Sequence, residues 1–175
     1  MANVHNARGL SPLRGSNGGN PRVRKYAANV TTDIFKGDIG QLLASGRVKT
    51  IVTTTGNSFV LGVAANRIKH GDSTSPQDIW VYDDPDQEFE ITDDGAAATL
   101  SASDVGATFA LIISTGNTTT GISKHEIDAS ASGAATTDAV ILEGFKTGPS
   151  FLVGKYSSAI VRLNRHIWKT GSAGV

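Results

Sequence analysis

The sequence predicts an all-β fold: an antiparallel β-barrel or β-sandwich with an extended N-terminal arm. Three observations lead to this class. Short runs of β-branched and apolar residues recur along the 175-residue chain, segments rich in Gly, Ser, Thr, Asn and Asp separate them, and the signal for helices is weak. No repeat of fixed period is present, which disfavours a solenoid or a propeller.

Seven segments have the composition of β-strands. In residues 88–92 charged and apolar residues alternate, so Phe89 and Ile91 are expected on one buried face, with both glutamates in solvent. Residues 48–53 and 58–63 flank a turn-forming Gly-Asn pair and therefore predict a hairpin. The other predicted strands are 79–82, 108–114, 139–145 and 159–163.

Two short segments, 40–45 and 101–105, are predicted as short helices. The second begins with Ser101, and serine is a favourable residue at a helix N-terminus. Connecting segments rich in turn residues, such as 71–75, 114–120 and 130–137, suit an antiparallel fold.

The first 29 residues form the predicted arm. They contain no Asp or Glu and few apolar residues. Their basic residues are Arg8, Arg14, Arg22, Arg24 and Lys25. Such a segment does not bury enough apolar surface to offset the entropy of its own ordering. We therefore expect it to become ordered on a partner, and we expect deletion of 1–25 to leave a folded domain that binds that partner weakly.

The predicted organisation is an arm at 1–29, one β domain at 30–170 and a flexible C-terminal tail at 171–175. The formal net charge is zero, yet the charges are sorted in blocks. Residues 78–94 contain eight acidic residues and no Lys or Arg. Beyond Glu143 all the charged residues are basic. Opposite patches on a neutral molecule suit contact with copies of itself or with a partner in a fixed register.

The composition excludes several classes of protein. The chain has no cysteine, so disulfides, thiolate metal sites and thiol nucleophiles are excluded. The N-terminal residues lack the apolar stretch of a signal peptide, and no apolar run is long enough to cross a bilayer. We therefore expect a soluble protein made without export, with no membrane partner.

The densest carboxylate cluster is Asp83, Asp84, Asp86 and Glu88, which contains oxygen ligands suited to a hard cation. It lacks the alternating spacing and the fixed glycine of a calcium loop. The sequence instead predicts a solvated turn in which Pro85 fixes the bend. No metal site is therefore expected here, and no two histidines have the spacing of a zinc site.

Residue types used in acyl transfer occur together in one short stretch, at Ser123, His125, Glu126 and Asp128. Neighbours in sequence do not by themselves converge in space as a nucleophile, a base and an orienting acid must. No Gly-x-Ser-x-Gly motif is present. We therefore predict no catalytic residues and no enzymatic activity.

Glycine clusters at 15–19 and 116–121 lack the Lys-Ser/Thr ending of a nucleotide-binding loop, and no cofactor is expected. The basic arm contains the charges needed to contact phosphates. Its single aromatic residue, Tyr26, the zero net charge and the absence of a reader motif argue against nucleic acid. We therefore favour a protein as the partner of the arm. The remaining alternative is that the arm is a disordered terminus without a role.

The order of several motifs resembles that of tailed-bacteriophage virion proteins, specifically small head proteins of the cement or decoration kind. The motifs are DPDQEFEI at 84–91, GNTTTGIS at 116–123, EID at 126–128, VILEGF at 140–145 and IVRLNRH at 160–166. Each motif is common by itself, and their order is the distinctive feature. The similarity extends over 48–166 and does not include the basic arm.

The resemblance implies a non-enzymatic protein on the outer surface of the virion head, made in the cytoplasm of the bacterial host. Such a protein bridges neighbouring major capsid proteins and resists internal pressure. Binding to a lattice multiplies modest affinities through effective concentration. We expect copies of the chain to associate as a homotrimer, which suits local threefold positions, and a dimer stays open.

The arm and one C-terminal aromatic residue are the expected sites of contact with the shell. These residues are Arg8, Arg14, Arg22, Arg24, Lys25, Tyr26 and Trp168. In this interpretation Trp168 is an aromatic anchor at the interface. The alternative is that its ring covers the core of its own domain and binds no partner. The alternative function is a virion-surface adhesion or glycan-binding module, such as a fibre or a head-surface lectin, which would expose aromatic residues on loops.

Overall fold

The computed structural model describes residues 3–15, 18–29, 31–51, 60–71, 77–96, 98–133, 136–148 and 151–169. In these residues the chain is all-β, as predicted, and its strands form two units. In chain order the strands are β1 (Ser11–Pro12), β2 (Val23–Ala28), β3 (Ile39–Leu42), β4 (Arg47–Thr50), β5 (Gly62–Ala64), β6 (Asp78–Tyr82), β7 (Glu88–Thr92), β8 (Thr108–Ile112), β9 (Glu126–Gly133), β10 (Val140–Phe145) and β11 (Ser158–Leu163). No helix in this part of the chain is long and apolar enough to cross a membrane.

The first unit is a six-stranded antiparallel sheet in the order β1-β7-β11-β10-β8-β9. Strand β7 runs beside β11 with Phe89 opposite Val161, and both side chains are fully buried. An isolated bridge between Asp93 and Ile127 brings the end of β7 towards β9. The sheet therefore curves round its own apolar core.

The second unit is a closed five-stranded barrel in the order β2-β4-β3-β5-β6. Its pairs are antiparallel except for β2 and β4, which run parallel with Ala28 beside Val48. Buried Ala, Val, Ile and Leu side chains form a core cluster in this unit. Gly40 lies on β3 facing β4, and a Cβ atom there would come within 2.9 Å of Val48 Cγ1.

The barrel and the sheet share a core. Ile39 and Val63 on the barrel pack in the same buried cluster as Phe89, and Leu10 lies there too. The Tyr82 ring meets the Phe89 ring edge to face, with 6.5 Å between the ring centroids. The two units therefore form one packed body and not two independent modules.

The strands with clear period-two or apolar patterns are confirmed. Strand β7 has the bounds predicted for 88–92, and Phe89 and Ile91 are both buried. Strands β6, β8, β10 and β11 lie within or close to the predicted segments. In β7 the sequence pattern and the burial agree, because the alternation of charged and apolar residues defines the buried face.

The predicted hairpin between 48–53 and 58–63 is wrong, because β3 lies between β4 and β5 and pairs with both of them. Its turn falls in 52–59, outside the described residues. The helix predicted at 40–45 is also wrong, since 39–42 form β3. The second predicted helix is a single 3₁₀ turn, Ala102–Asp104, in which the Asp104 carboxylate accepts a hydrogen bond from Ser101 N at 2.7 Å.

The structure does not confirm the extended arm. Strand β1 pairs with β7, β2 pairs with β6 and β4, and Leu10 is a fully buried member of the shared core. The segment has few apolar residues of its own, but acidic residues of the body stand opposite its cations. Deletion of 1–25 would therefore remove core and strand residues, contrary to the expectation of a folded remainder. The tail at 171–175 lies outside the described residues.

Candidate functional site

Asp83 follows β6 and gathers the charged and aromatic side chains of β2 around one buried carboxylate. The antiparallel register places Val23 opposite Tyr82, so residues 22–26 run beside the end of β6. Arg22 Nε donates to Asp83 Oδ1 at 2.9 Å, and the Tyr26 hydroxyl donates to Oδ2 at 2.6 Å. Arg24 Nε lies 3.5 Å from Oδ2. Three of the residues predicted to contact a shell therefore meet here and balance an internal charge.

Tyr26 is a permanent donor in this cluster. Burial, followed by its hydrogen bond to Asp83, raises the pKa of the Tyr26 hydroxyl to about 12. The hydroxyl therefore keeps its proton throughout the physiological range. Together with Arg22 and Arg24, it satisfies a carboxylate that would otherwise be costly to bury.

Arg14 and Lys25 are paired at the surface. Arg14 Nε donates to Glu88 Oε2 at 2.8 Å, and Lys25 Nζ donates to Asp78 Oδ2 at 3.2 Å. Both pairs are solvent-exposed and therefore contribute little to stability. Their geometry still places these cations against the body, where the acidic stretch 78–94 supplies the partners.

Trp168 and Trp80 are the two exposed tryptophans. Trp168 is 51% exposed and lies beside His166, and the Arg24 guanidinium is 5.9 Å from its ring centroid. Trp80 is 46% exposed on β6, where its register partner is Lys25. Arg24 and Lys25 are successive residues of β2 and point to opposite faces. The two indoles therefore do not form one aromatic platform.

Arg8 differs from the other predicted contact residues. It is exposed, and among the described residues no carboxylate lies within ion-pair distance of it. It lines two clefts: one of about 300 Å³ with Glu90 and Lys146, and one of about 200 Å³ with Lys36. Among the predicted contact cations of the described chain, Arg8 is thus the one that forms no ion pair, although Glu90 lies in the same cleft.

The larger cleft has a saturated carboxylate in its wall. Glu90 accepts hydrogen bonds from Lys146 Nζ at 2.9 and 3.0 Å and from Ser158 Oγ at 2.6 Å. Burial by itself would raise the pKa of Glu90, but the bonds from Ser158 and Lys146, with a smaller effect of Arg8, bring it below its usual value. Glu90 is therefore an anion whose charge is already compensated by Lys146.

Four large apolar side chains form an exposed apolar patch beside this cleft: Val4, Phe151, Leu152 and Val153. Val4 is 82% exposed, and Leu152 and Val153 are each 51% exposed. Val4 and Phe151 both line the cleft, and Leu152 N donates to Asn3 Oδ1 at 3.1 Å. The patch therefore combines the N-terminal residues with the loop that precedes β11.

Polar contacts hold the apolar patch in place. The Asn3 side-chain amide donates to Leu152 O at 2.7 Å and to Lys155 O at 3.0 Å. His5 pairs with Glu126 at 2.5 Å and stacks on the Tyr156 ring, with 4.8 Å between the centroids. These contacts fix residues 3–5 against the body without burying their apolar neighbours.

Ser123 and His125, two residue types used in acyl transfer, lie close together but do not contact each other through the imidazole. The Ser123 hydroxyl accepts a hydrogen bond from His125 N at 3.2 Å, so it interacts with backbone and not with the imidazole. His125 Nε2 instead lies 3.4 Å from Asp38 Oδ1, and both residues are buried. Burial lowers the pKa of the His125 imidazole, although Asp38 opposes this. The pair joins the barrel to the sheet.

The turn between β6 and β7, which contains the carboxylate cluster, is not the solvated turn predicted from the sequence, because Asp83 is fully buried. Asp86 accepts from Lys169 Nζ at 2.6 Å and lies near Arg162, so this carboxylate is held by cations too. Within the described residues, no group of three His, Asp or Glu side chains could hold a metal ion.

Sequence reasoning missed both the Asp83 cluster and the apolar patch. The blocks of opposite charge at 22–25 and 78–94 were a usable signal for the first, since such blocks pair when they meet in a fold. Residues 151–153 are a short exposed apolar run that the sequence does not distinguish from a strand. No family model, curated protein or solved structure matches the chain. The function is therefore inferred from the chain's own contacts and charges.

Proposed function

We propose that this chain is a phage capsid cement or decoration protein that binds the outer surface of the head shell and bridges neighbouring major capsid proteins. The observation that carries the proposal is the exposed apolar patch of Val4 and 151–153 on a body in which ion pairs join distant segments of the chain. Contiguous exposed apolar surface on a small protein marks an interaction site. The motif order over 48–166 supplies the class of partner.

The body has the construction that a brace requires. Ion pairs join segments that are far apart in the chain: Arg14 with Glu88, Arg22 with Asp83 and Lys146 with Glu90. Together with the shared core, they tie the N-terminal segment, the barrel and the sheet into one unit. A rigid unit transmits load between two shell subunits without first stretching its own linkers.

The proposed mode of binding differs from the one expected from the sequence. The cations of the N-terminal segment form ion pairs with carboxylates of the same chain, so the body and not a flexible arm presents the contact surface; these cations are Arg14, Arg22, Arg24 and Lys25. Such a surface is preorganised, and binding therefore does not pay the entropy of ordering a segment. Many copies on a lattice make a modest single contact sufficient. A homotrimer at local threefold positions remains our expectation for its assembly.

The test uses phage particles that lack this protein. We expect them to release their genome at lower temperature and under milder osmotic shock than complete particles, while adsorption to host cells is unchanged. Adding the purified chain back should restore stability. A Val4→Ser/Leu152→Ser double variant should fail to restore it, whereas Val105→Ser, a single change at another exposed apolar residue, should succeed.

The alternative of an adhesion or glycan-binding module gives the opposite pattern. Its support is the exposure of Trp80 and Trp168, since exposed indoles suit sugar rings. Particles without the protein would then adsorb poorly and keep normal resistance to heat and osmotic shock. That result would overturn the cement proposal.

A further inference from the structure

We infer that Arg8 is the anchor for a carboxylate-bearing segment of the shell protein, received in the two clefts that Arg8 lines. This inference rests on the proposed function and names the chemistry of its partner. It follows from three features: the close packing that fixes Arg8, the charge left unmatched around it, and the apolar surface beside it.

Backbone packing fixes the position of Arg8 relative to Lys36. Leu10 N donates to Gly37 O at 3.0 Å, so the segment after Arg8 runs beside the segment after Lys36. Gly37 has a φ of +92°, and a Cβ atom there would lie 2.8 Å from Arg8 O. Only glycine allows this approach without strain. The two cations therefore extend from adjacent, well-defined stretches of backbone.

The charges around Arg8 do not balance. Lys36 is exposed, and no acidic side chain pairs with it in the described part of the chain. Glu90, the acid of the larger cleft, is already held by Lys146 and Ser158. The clefts therefore retain an excess of positive charge, which complements a carboxylate. A guanidinium binds a carboxylate through two parallel hydrogen bonds, so Arg8 is the stronger of the two candidates.

The clefts also offer apolar surface. Val4, Phe151 and Tyr156 line the larger cleft, and Pro12 and Ile122 line the smaller one. Their volumes of about 300 and 200 Å³ suit individual side chains. The matching occupant is an acidic residue flanked by apolar residues on an extended segment. Nucleic acid would be expected to need a longer basic track with stacking aromatics.

The experiment measures binding of purified protein to shells that lack it. Arg8→Gln/Lys36→Gln is compared with Arg47→Gln, a change at an exposed cation on β4 that lines neither cleft. We expect the double variant to bind roughly tenfold or more weakly and to lose most of the salt dependence of binding. The control should bind like the wild-type chain. Thermal unfolding of all three proteins checks that they are folded.

Equal binding of the double variant and the wild-type chain would overturn this inference and leave the proposed function standing. Failure of the wild-type chain to bind shells at all would overturn both. Anionic vesicles and duplex DNA serve as further probes. The wild-type chain could bind vesicles or DNA while the double variant does not, with both proteins binding shells equally. That result would assign Arg8 to a different partner and also overturn the inference.

Discussion

The N-terminal segment has two halves with similar basic and polar composition and different positions in the structure. Residues 3–8 lie on the surface, where Val4 is exposed and no carboxylate of the described chain lies within ion-pair distance of Arg8. Leu10 belongs to the core, and residues 11–12 and 23–28 form strands β1 and β2. The difference comes from the rest of the molecule, which buries Leu10 and provides carboxylates to the arginines of the second half, whereas the described ion pair of the first half is that of His5 with Glu126. Composition alone therefore does not distinguish an arm from a strand.

The largest predicted effect comes from a deletion that reaches into both halves, which we compare with a deletion confined to the first half. Removal of residues 2–25 takes away Leu10, β1 and part of β2, and leaves Asp83 buried without its arginines. Loss of a buried leucine costs about 2 to 5 kcal/mol, and an unpaired buried charge costs about 3 to 5 kcal/mol. Since typical stabilities are about 5 to 15 kcal/mol, we expect no cooperative thermal transition in circular dichroism.

Removal of residues 2–7 should instead leave a folded protein. It deletes exposed side chains and the polar contacts of Asn3 and His5, so we expect the melting temperature to fall by at most about 5 °C. Loss of cooperative unfolding in this shorter deletion, or its retention in the longer one, would contradict the distinction between the two halves.

The second effect in size concerns the carboxylate that anchors the inner half. Asp83→Asn removes the charge that Arg22 and Arg24 neutralise, and we expect it to lower the free energy of unfolding by about 3 kcal/mol. The matched control is Asp78→Asn, whose carboxylate is 62% exposed and should cost less than about 1 kcal/mol. Urea unfolding measures both. Equal losses of unfolding free energy in the two variants would show that burial does not determine how much each carboxylate contributes to stability.

A third prediction contrasts Asp83 with Asp93, a buried acid that no cation accompanies in the described chain. Burial raises the pKa of Asp93 to about 6. The folded state therefore binds a proton more tightly than the unfolded state, so the contribution of Asp93 to stability falls as pH rises through 6.

Asp93→Asn should remove this loss. Relative to wild type, the variant should gain about 1 to 3 kcal/mol of unfolding free energy between pH 4 and pH 8. Urea unfolding at several pH values measures the difference. A difference between the two proteins that does not change with pH would contradict the assignment.

The smallest predicted effect is at the surface pair of Lys25 and Asp78. Lys25→Gln should change the free energy of unfolding by less than about 0.5 kcal/mol, because both side chains are more than half exposed. Added salt should reduce even this difference. A loss comparable to that of Asp83→Asn would mean that the charges of β2 contribute equally whatever their burial.

The parts of the fold that the sequence predicts are those with local signals. Alternation in 88–92 defines β7 by itself, because the buried and exposed faces are encoded in successive residues. Strand β2 lacks that signal, since its inward side chains include Tyr26, whose partner Asp83 is 57 residues away. Strand β3 contains Gly40, which suggests a turn or a helix end until its approach to Val48 is seen.

The candidate site follows the same rule. The basic residues of the first 29 positions were all plausible contacts, and only the long-range pairing separates Arg8 from Arg14 and Arg22. The apolar patch depends on Asn3 meeting Leu152 across the length of the chain. Neither relation has a local pattern, so neither could be predicted from spacing.

The central claim is that a stiff body docks on the head shell through its apolar patch and Arg8. A cryo-EM reconstruction of the virion tests this most directly. We predict density for both the barrel and the sheet on the outer surface of the head, with Val4 and Phe151–Val153 against a major capsid protein and a carboxylate beside Arg8. A map in which this patch faces solvent, or in which the head carries no copy of the chain, would contradict the account.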